Sequence, residues 1–417
     1  MFDLSFLDPP IEVAAARPRL DRILTQLKAH GMRAYPASDP IDFNATEPLL
    51  IDMESLAEGL DSCDVKLPDE AEPGRPLVLM TRDTALADGI DALIVSRDSD
   101  LAQLRARLAS LVRRQARTAE FRIRMETAES FGALQPPAPA AAAPEVLYLG
   151  DGGVGFFSLR AALKAHDIPI TAALTLRTAA DYLKSGRFAA ILADLTPGGG
   201  DPVNHIDWNR AEATLSGVPL FALTQPGTDL SNRHLAALSV SADLVEHSGD
   251  AEALAGRISY AIHSHAASAP ILPAQLHASA SVDPETGLFH RDFIKAHLER
   301  QIAVSTERGE PLCVLTIKLD EDCTDAVADF SRIVRNRVRD TDCLAHYGNG
   351  TVIITAPLTP FRGAVRLAER LVATLGRYPE LDHVSLSWRV VEKRSYHTAG
   401  TLLAEGLSGP YTREHAA

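Results

Sequence analysis

The sequence predicts an α/β protein: two doubly wound parallel sheets of flavodoxin-like type, followed by an α/β domain of a different make. Three observations lead there. Stretches 131–144 and 267–281, rich in proline, alanine and polar residues, read as linkers and cut the 417 residues into pieces of ordinary domain size, 1–130, 145–266 and 282–417. In the first two pieces, apolar strand-like runs alternate with amphipathic stretches, the pattern of parallel strands joined by helical crossovers. Those two pieces also share a spacing. Leu49-Leu50-Ile51-Asp52 leads to Leu77-Val78-Leu79-Met80-Thr81, and Ile191-Leu192-Ala193-Asp194 leads to Leu220-Phe221-Ala222-Leu223-Thr224. The intervals from aspartate to threonine, 52 to 81 and 194 to 224, are nearly equal, as in an internal repeat.

Composition narrows the function classes. At 46% hydrophobic and 23% charged residues the chain reads as soluble and globular, and no apolar run reaches the roughly 18 residues a membrane span needs. Met1-Phe2-Asp3-Leu4 lacks the basic and apolar regions of a secretory signal. Cys63, Cys313, Cys323 and Cys343 are scattered without C-x-x-C spacing, so they are expected as reduced thiols in a cytoplasmic protein. A net charge of -14 repels polyanions, which argues against general nucleic-acid binding. An anionic ligand would need a local arginine site.

A strand ending in aspartate, followed by a strand ending in threonine within a βα alternation, resembles the response-regulator receiver domain. The resemblance makes Asp52 and Asp194 candidate phosphoacceptors. Phosphoryl transfer to aspartate needs Mg²⁺, which the family holds with acidic residues after strand one, together with a lysine after strand five. Here those places read Ala14-Ala15-Ala16-Arg17-Pro18 and Val95-Ser96-Arg97 in the first domain. The second keeps one acid, Asp151, and has Glu246-His247 at the lysine's place. Both aspartates therefore also read as plain polar caps at strand ends, and the expected use of the two domains is pairing of protomers into a homodimer. A helix over roughly 98–130 carries Leu101, Leu104, Leu108 and Leu111 at helical spacing. Its first half is expected in the core, and its Arg-rich continuation from Arg113 to Arg124 leaves open a contact between protomers.

The third piece opens with Asp283-Pro284-Glu285-Thr286-Gly287-Leu288-Phe289-His290-Arg291, a proline turn in which Gly287 permits a sharp bend before a helix from about Arg291 to Arg308. Pro311 to Leu319 reads as a buried strand, and Tyr347 to Ile354 as a hairpin with Asn349-Gly350 at its turn. The opening run resembles the D-P-L-T-G-L-x-N-R entry of GGDEF diguanylate-cyclase domains, and the hairpin stands where that family has its signature. Cyclases of the family hold two divalent metals on an aspartate after the first strand and on the acids of G-G-[DE]-E-F. Lys318 takes the metal aspartate's place, Asp320 matches a second acid, and Gly348-Asn349-Gly350-Thr351-Val352 contains no carboxylate. The resemblance thus implies a degenerate cyclase with no catalytic residues and no metal.

Upstream of the hairpin, Arg339-Asp340-Thr341-Asp342 matches the R-x-x-D of the family's inhibitory site at the family's distance. Ala368-Glu369-Arg370 stands where a second arginine joins, often from a neighbouring protomer. In that site the arginine fork meets guanine O6 and N7, and the aspartate accepts from N1-H and N2-H. Arg339, Asp342 and Arg370 are accordingly the candidate cyclic di-GMP ligands. Taken alone, R-x-x-D also fits a solvated helix end with an exposed ion pair. Trp208, Trp388 and the histidines show no ligand spacing. The whole layout resembles response-regulator-type GGDEF proteins. It implies a cytoplasmic cyclic di-GMP effector at a cell pole during the cell cycle, recruiting adaptor and substrate proteins of the ClpXP protease. An active cyclase under feedback inhibition and a scaffold that binds no nucleotide are the alternatives.

Overall fold

The computed structural model describes residues 10–43, 45, 47–54, 75–81, 92–95, 101, 104–132, 145–150, 152–183, 188–196, 220–224, 242–246, 250–252, 254–256, 258–259, 262, 281–335, 337–339, 341–375, 378, 381 and 384–415. Two compact units make up the chain. Asp3–Gln115 and Ala143–His265 form the first, and Ala116–Ala142 with Ala266–Ala417 form the second. Asp151, Cys63, Trp208 and most of both predicted linkers lie outside the described residues.

The first unit holds two parallel five-stranded sheets. One comprises β1 (Ile11–Ala14), β2 (Ala34–Pro36), β3 (Leu49–Asp52), β4 (Leu77–Met80) and β5 (Ala92–Val95), in the order β2-β1-β3-β4-β5. The other comprises β6 (Glu145–Leu149), β7 (Ile170–Ala173), β8 (Phe188–Asp194), β9 (Leu220–Thr224) and β10 (Ala242–Glu246), in the order β10-β9-β8-β6-β7. Numbered within its own repeat, each sheet runs 2-1-3-4-5, the flavodoxin-like doubly wound order. Every residue of β3, β4 and β9 is buried, as expected of central parallel strands covered on both faces. Helix α1 (Arg19–Ala29) packs Leu20, Ile23 and Leu27 on one face of the first sheet.

Helix α2 (Leu104–Ser130) follows the first sheet. Leu104, Leu108 and Leu111 join the first sheet's core, as their spacing predicts. In the Arg-rich continuation, which leaves open a protomer contact, Arg124 is buried in the second unit, Arg117 is half-buried and Arg122 is exposed. Ala128 there joins a core with Phe121 and Met125 packed against it. The second sheet is flanked by α3 (Val154–Ala165) and α4 (Leu176–Leu183).

The second unit is built on a six-stranded sheet in the order β11-β13-β14-β12-β15-β16, with β11 (Phe289–His290), β12 (Leu312–Leu319), β13 (Cys343–Gly348), β14 (Thr351–Pro357), β15 (Ser385–Glu392) and β16 (Thr412–His415). Its pairs are antiparallel except β11 with β13. Alternation along β12 sends Leu315 and Ile317 to a core shared with α6 (Val327–Arg335) and α7 (Phe361–Leu375), whereas Leu312 and Val314 face α5 (Arg291–Glu307) and α8 (Ala399–Leu407). The predicted entry turn is present: the amide of Gly287 donates to the Asp283 carbonyl at 2.9 Å, and Gly287 has φ 65°. The predicted hairpin turn is present too, with Asn349 at φ 48° and Gly350 at φ 65°, the signs a two-residue type I′ connection requires. No helix among the described residues is long and apolar enough to cross a membrane. Cys313, Cys323 and Cys343 are buried thiols outside any disulfide.

Candidate functional site

The two predicted phosphoacceptors lie at strand ends and are already engaged. Asp52, wholly buried at the end of β3, accepts a 2.7 Å hydrogen bond from Arg19 Nε on α1, and the same guanidinium lies 3.3 Å from Met80 Sδ. Asp194 accepts from Tyr148 Oη at 2.5 Å on one oxygen and, on the other, from the amide and hydroxyl of Thr196 at 2.9 and 2.6 Å. The second arrangement is an Asx turn after β8 reinforced by a buried phenol. Thr81 donates to Glu54 at 3.1 Å.

In the second unit, Lys318 sits near the end of β12, paired in register with Thr351 at the start of β14, beside the hairpin turn. Its ammonium donates to the carbonyl of Leu407 at 3.1 Å and lies 4.4 Å from the centre of the Tyr411 ring. The lysine therefore offers its charge to the carboxyl end of α8, where the helix dipole favours a cation. The turn itself presents only main chain, Asn349 and Thr351.

The Arg339–Asp342 segment is a closed turn immediately before β13. The amide of Asp342 donates to the Arg339 carbonyl at 3.0 Å, and Asp342 Oδ2 accepts from the Arg339 amide at 2.9 Å. Arg339 leaves this turn exposed. Asp342 is the reverse: only 4% exposed, with Oδ1 buried and lacking a hydrogen-bond partner among the described residues. Burial lifts its carboxyl to about 6, against the pull of Arg339, Arg370 and Arg124. Arg339 and Arg370 thus both act on Asp342 within one chain. Arg370, on α7, donates to the carbonyl of Arg337 at 3.1 Å, and Arg337 donates to Tyr378 Oη at 2.9 Å.

The chemistry such a turn offers includes recognition of a hydrogen-bond donor. A buried carboxylate oxygen without a donor costs about 1–3 kcal/mol, and a ligand N–H would supply that donor. An exposed arginine fork beside it fits a planar acceptor edge or a phosphate.

Sequence reasoning missed a buried polar stripe on α2. Glu120, Arg124 and Thr127, at helix positions i, i+4 and i+7, are 2%, 1% and 0% exposed. Glu120 Oε1 accepts from Arg124 Nε at 2.5 Å and lies 2.9 Å from His297 Nε2, and Gln301 donates to Oε2 at 3.0 Å. Burial alone would raise the Glu120 carboxyl, but Arg124 and His297 outweigh it and hold it below the usual range. Arg124 also donates from Nη2 to the main-chain carbonyl of Asp342 at 2.8 Å. The spacing of Glu120, Arg124 and Thr127 was the available signal.

Two further histidines pair with carboxylates: His346 with Asp283 at 3.0 Å and His397 with Glu405 at 2.9 Å. Asp283, Glu285 and His346 bring potential metal ligands within 4.8 Å of one another. Asp283 Oδ2, however, already takes the Thr286 amide and hydroxyl as well as His346 Nδ1, at 3.0, 2.7 and 3.0 Å. It is the hub of the entry turn.

No family model matches the sequence, and no curated protein is similar to it. Among solved structures, 30% of the chain, in its C-terminal part, is similar to the GGDEF domain of TpbB (YfiN) from Pseudomonas aeruginosa, at 23% identity over 83% of that chain and a TM-score of 0.28. A second, covering again 30% of this chain and 83% of the other, is the GGDEF domain of DgcB from Caulobacter crescentus in complex with c-di-GMP, at 14% identity and a TM-score of 0.28. A third is the FimX GGDEF domain from Pseudomonas aeruginosa, at 15% identity, covering 31% of this chain and 90% of that one, with a TM-score of 0.29.

Proposed function

We propose that the C-terminal domain is a degenerate GGDEF domain that binds cyclic di-GMP on Arg339, Asp342 and Arg370 and does not synthesise it. The observation that carries this reading is the orphan Oδ1 of Asp342, buried among arginines at the position where the GGDEF resemblance places a guanine-reading carboxylate. Guanine N1-H and N2-H are donors of the kind that oxygen lacks, and an adjacent arginine fork suits guanine O6 and N7. Loss of synthesis is supported by Lys318, whose ammonium is committed to Leu407 and Tyr411 where the family holds its metals. The carboxylate-free turn from Gly348 to Val352 supports it independently.

On this reading the two flavodoxin-like sheets are receiver-type domains that serve pairing of protomers rather than phosphorelay, which the engagement of Asp52 by Arg19 supports. The cell-level output implied by the resemblance is polar localisation in a cytoplasmic protein and recruitment of ClpXP adaptors and substrates.

The test is equilibrium retention of labelled cyclic di-GMP by the full chain, with unlabelled competitors. Displacement by cyclic di-GMP but not by equimolar GTP supports the reading. Absence of retention, or equal displacement by both, overturns it.

A further inference from the structure

We infer that Arg124 is a positioning residue for the Arg339–Asp342 turn, so that ligand affinity depends on the seating of α2 residues 116–130 in the second unit. This rests on the cyclic di-GMP reading of that turn. The geometry is that of a strut. At one end, Arg124 Nε is fixed to Glu120 Oε1, and the Glu120 carboxylate is itself held from α5 by His297 Nε2 at Oε1 and by Gln301 Nε2 at Oε2. At the other end, Arg124 Nη2 grips the carbonyl of Asp342. The amide and Oδ2 of that same residue close the turn onto Arg339, so all three sets of polar atoms of Asp342 that have partners serve turn geometry. The remaining atom, Oδ1, is the one left for a ligand.

The strut is charged and buried. Arg124 is 1% exposed, so withdrawing it takes from the Asp342 carbonyl a buried donor that water cannot readily replace, and leaves the Glu120 carboxylate with His297 and Gln301 but without its guanidinium. A carbonyl released from one side changes the peptide plane that carries the Asp342 side chain. Seating of α2 and ligand binding then favour each other, and by linkage the coupling is reciprocal. A purely structural ion pair would stabilise the domain equally well but would not act selectively on the turn.

The experiment uses the full chain, calorimetric titration with cyclic di-GMP, and amide hydrogen exchange with and without ligand. Three variants are compared with the wild type. Arg124→Ala removes the strut. Arg124→Lys keeps the charge but cannot span both acceptors. Phe121→Ala trims an apolar contact of the same helix and leaves the strut intact. Arg124→Ala is expected to weaken binding at least about tenfold, the scale of one charge-assisted hydrogen bond, with Arg124→Lys between it and the wild type. Phe121→Ala should stay within about twofold of the wild type. Saturating ligand should slow exchange of amides 116–130 in the wild type and not in Arg124→Ala. Unchanged affinity in Arg124→Ala, or an equal loss in Phe121→Ala, overturns the inference. If the wild type binds no cyclic di-GMP, the functional reading fails by itself. The strut is then judged by exchange at residues 339–342 without ligand: faster exchange in Arg124→Ala than in Phe121→Ala supports it, and equal rates overturn it.

Discussion

Arg124 and Asp342, 218 residues apart in sequence, are joined by a buried 2.8 Å hydrogen bond from guanidinium to main-chain carbonyl. The bond matters because the arginine's other end is paired with Glu120, inside a network that also holds His297 and Gln301. Buried ion pairs contribute little net stability when intact, yet removing one partner is costly, since the other is stranded away from water.

Glu120→Ala is therefore expected to destabilise the second unit by about 3–5 kcal/mol. Urea-dependent hydrogen exchange at the buried amides of β12 and β14 measures this. A change below about 0.5 kcal/mol, the size of an ordinary surface substitution, would mean the network contributes nothing.

Asp342 gives the domain a pH dependence of defined sign. Its carboxyl is raised to about 6 in the fold from 3.8, so between about pH 4 and 6 the folded chain holds a proton that the unfolded chain has lost. Stability accordingly falls as pH rises through that window, and stays lower above it. Asp342→Asn should remove the penalty, stabilising the domain by up to about 3 kcal/mol at pH 7.5 and by almost nothing at pH 4. Ligand binding should run the other way, because a charged carboxylate accepts guanine donors more strongly than a neutral carboxyl, one of whose oxygens has become a donor. Cyclic di-GMP affinity is expected to fall as pH drops below about 6, measured by titration at pH 7.5 and 5. Equal affinity at both would remove Asp342 from the site.

Lys318 predicts a failed rescue. Lys318→Asp restores the acid that the GGDEF resemblance expects, but the turn from Gly348 to Val352 still offers no carboxylate. Incubation with GTP and Mg²⁺ should yield no cyclic di-GMP on chromatography. Lys318→Met should cost about 1–2 kcal/mol through the lost contacts with Leu407 and Tyr411. Turnover by either protein would return the chain to the enzymes.

In the first unit, Arg19→Ala removes the guanidinium partner of the wholly buried Asp52 carboxylate. Loss of about 3 kcal/mol in urea unfolding of that unit is expected, whereas wild-type stability would show the pair to be incidental.

Much of this fold is legible in the sequence, for identifiable reasons. The buried runs Leu49–Asp52 and Leu220–Thr224 are continuous apolar strings, which central parallel strands demand. Asn349-Gly350 is legible because positive φ at two successive residues restricts the choice of side chain. The R-x-x-D turn is legible as a motif, but the burial of Asp342 is not, since it depends on what packs over it. The role of α2 is least legible. Its arginines leave open a contact between protomers, and only the folded chain brings Glu120 to His297 and Gln301, 177 and 181 residues away. The same holds for Arg19, whose pairing with Asp52 depends on how α1 lies on the first sheet.

Whether Arg339 and Asp342 bind cyclic di-GMP in a domain that does not make it is decided by calorimetric titration of the wild-type chain and of Arg339→Ala. Saturable binding by the wild type and a loss of at least about tenfold in Arg339→Ala are expected, because a bidentate contact to guanine is worth about 1–3 kcal/mol. Binding that survives the substitution unchanged would remove Arg339 from the site.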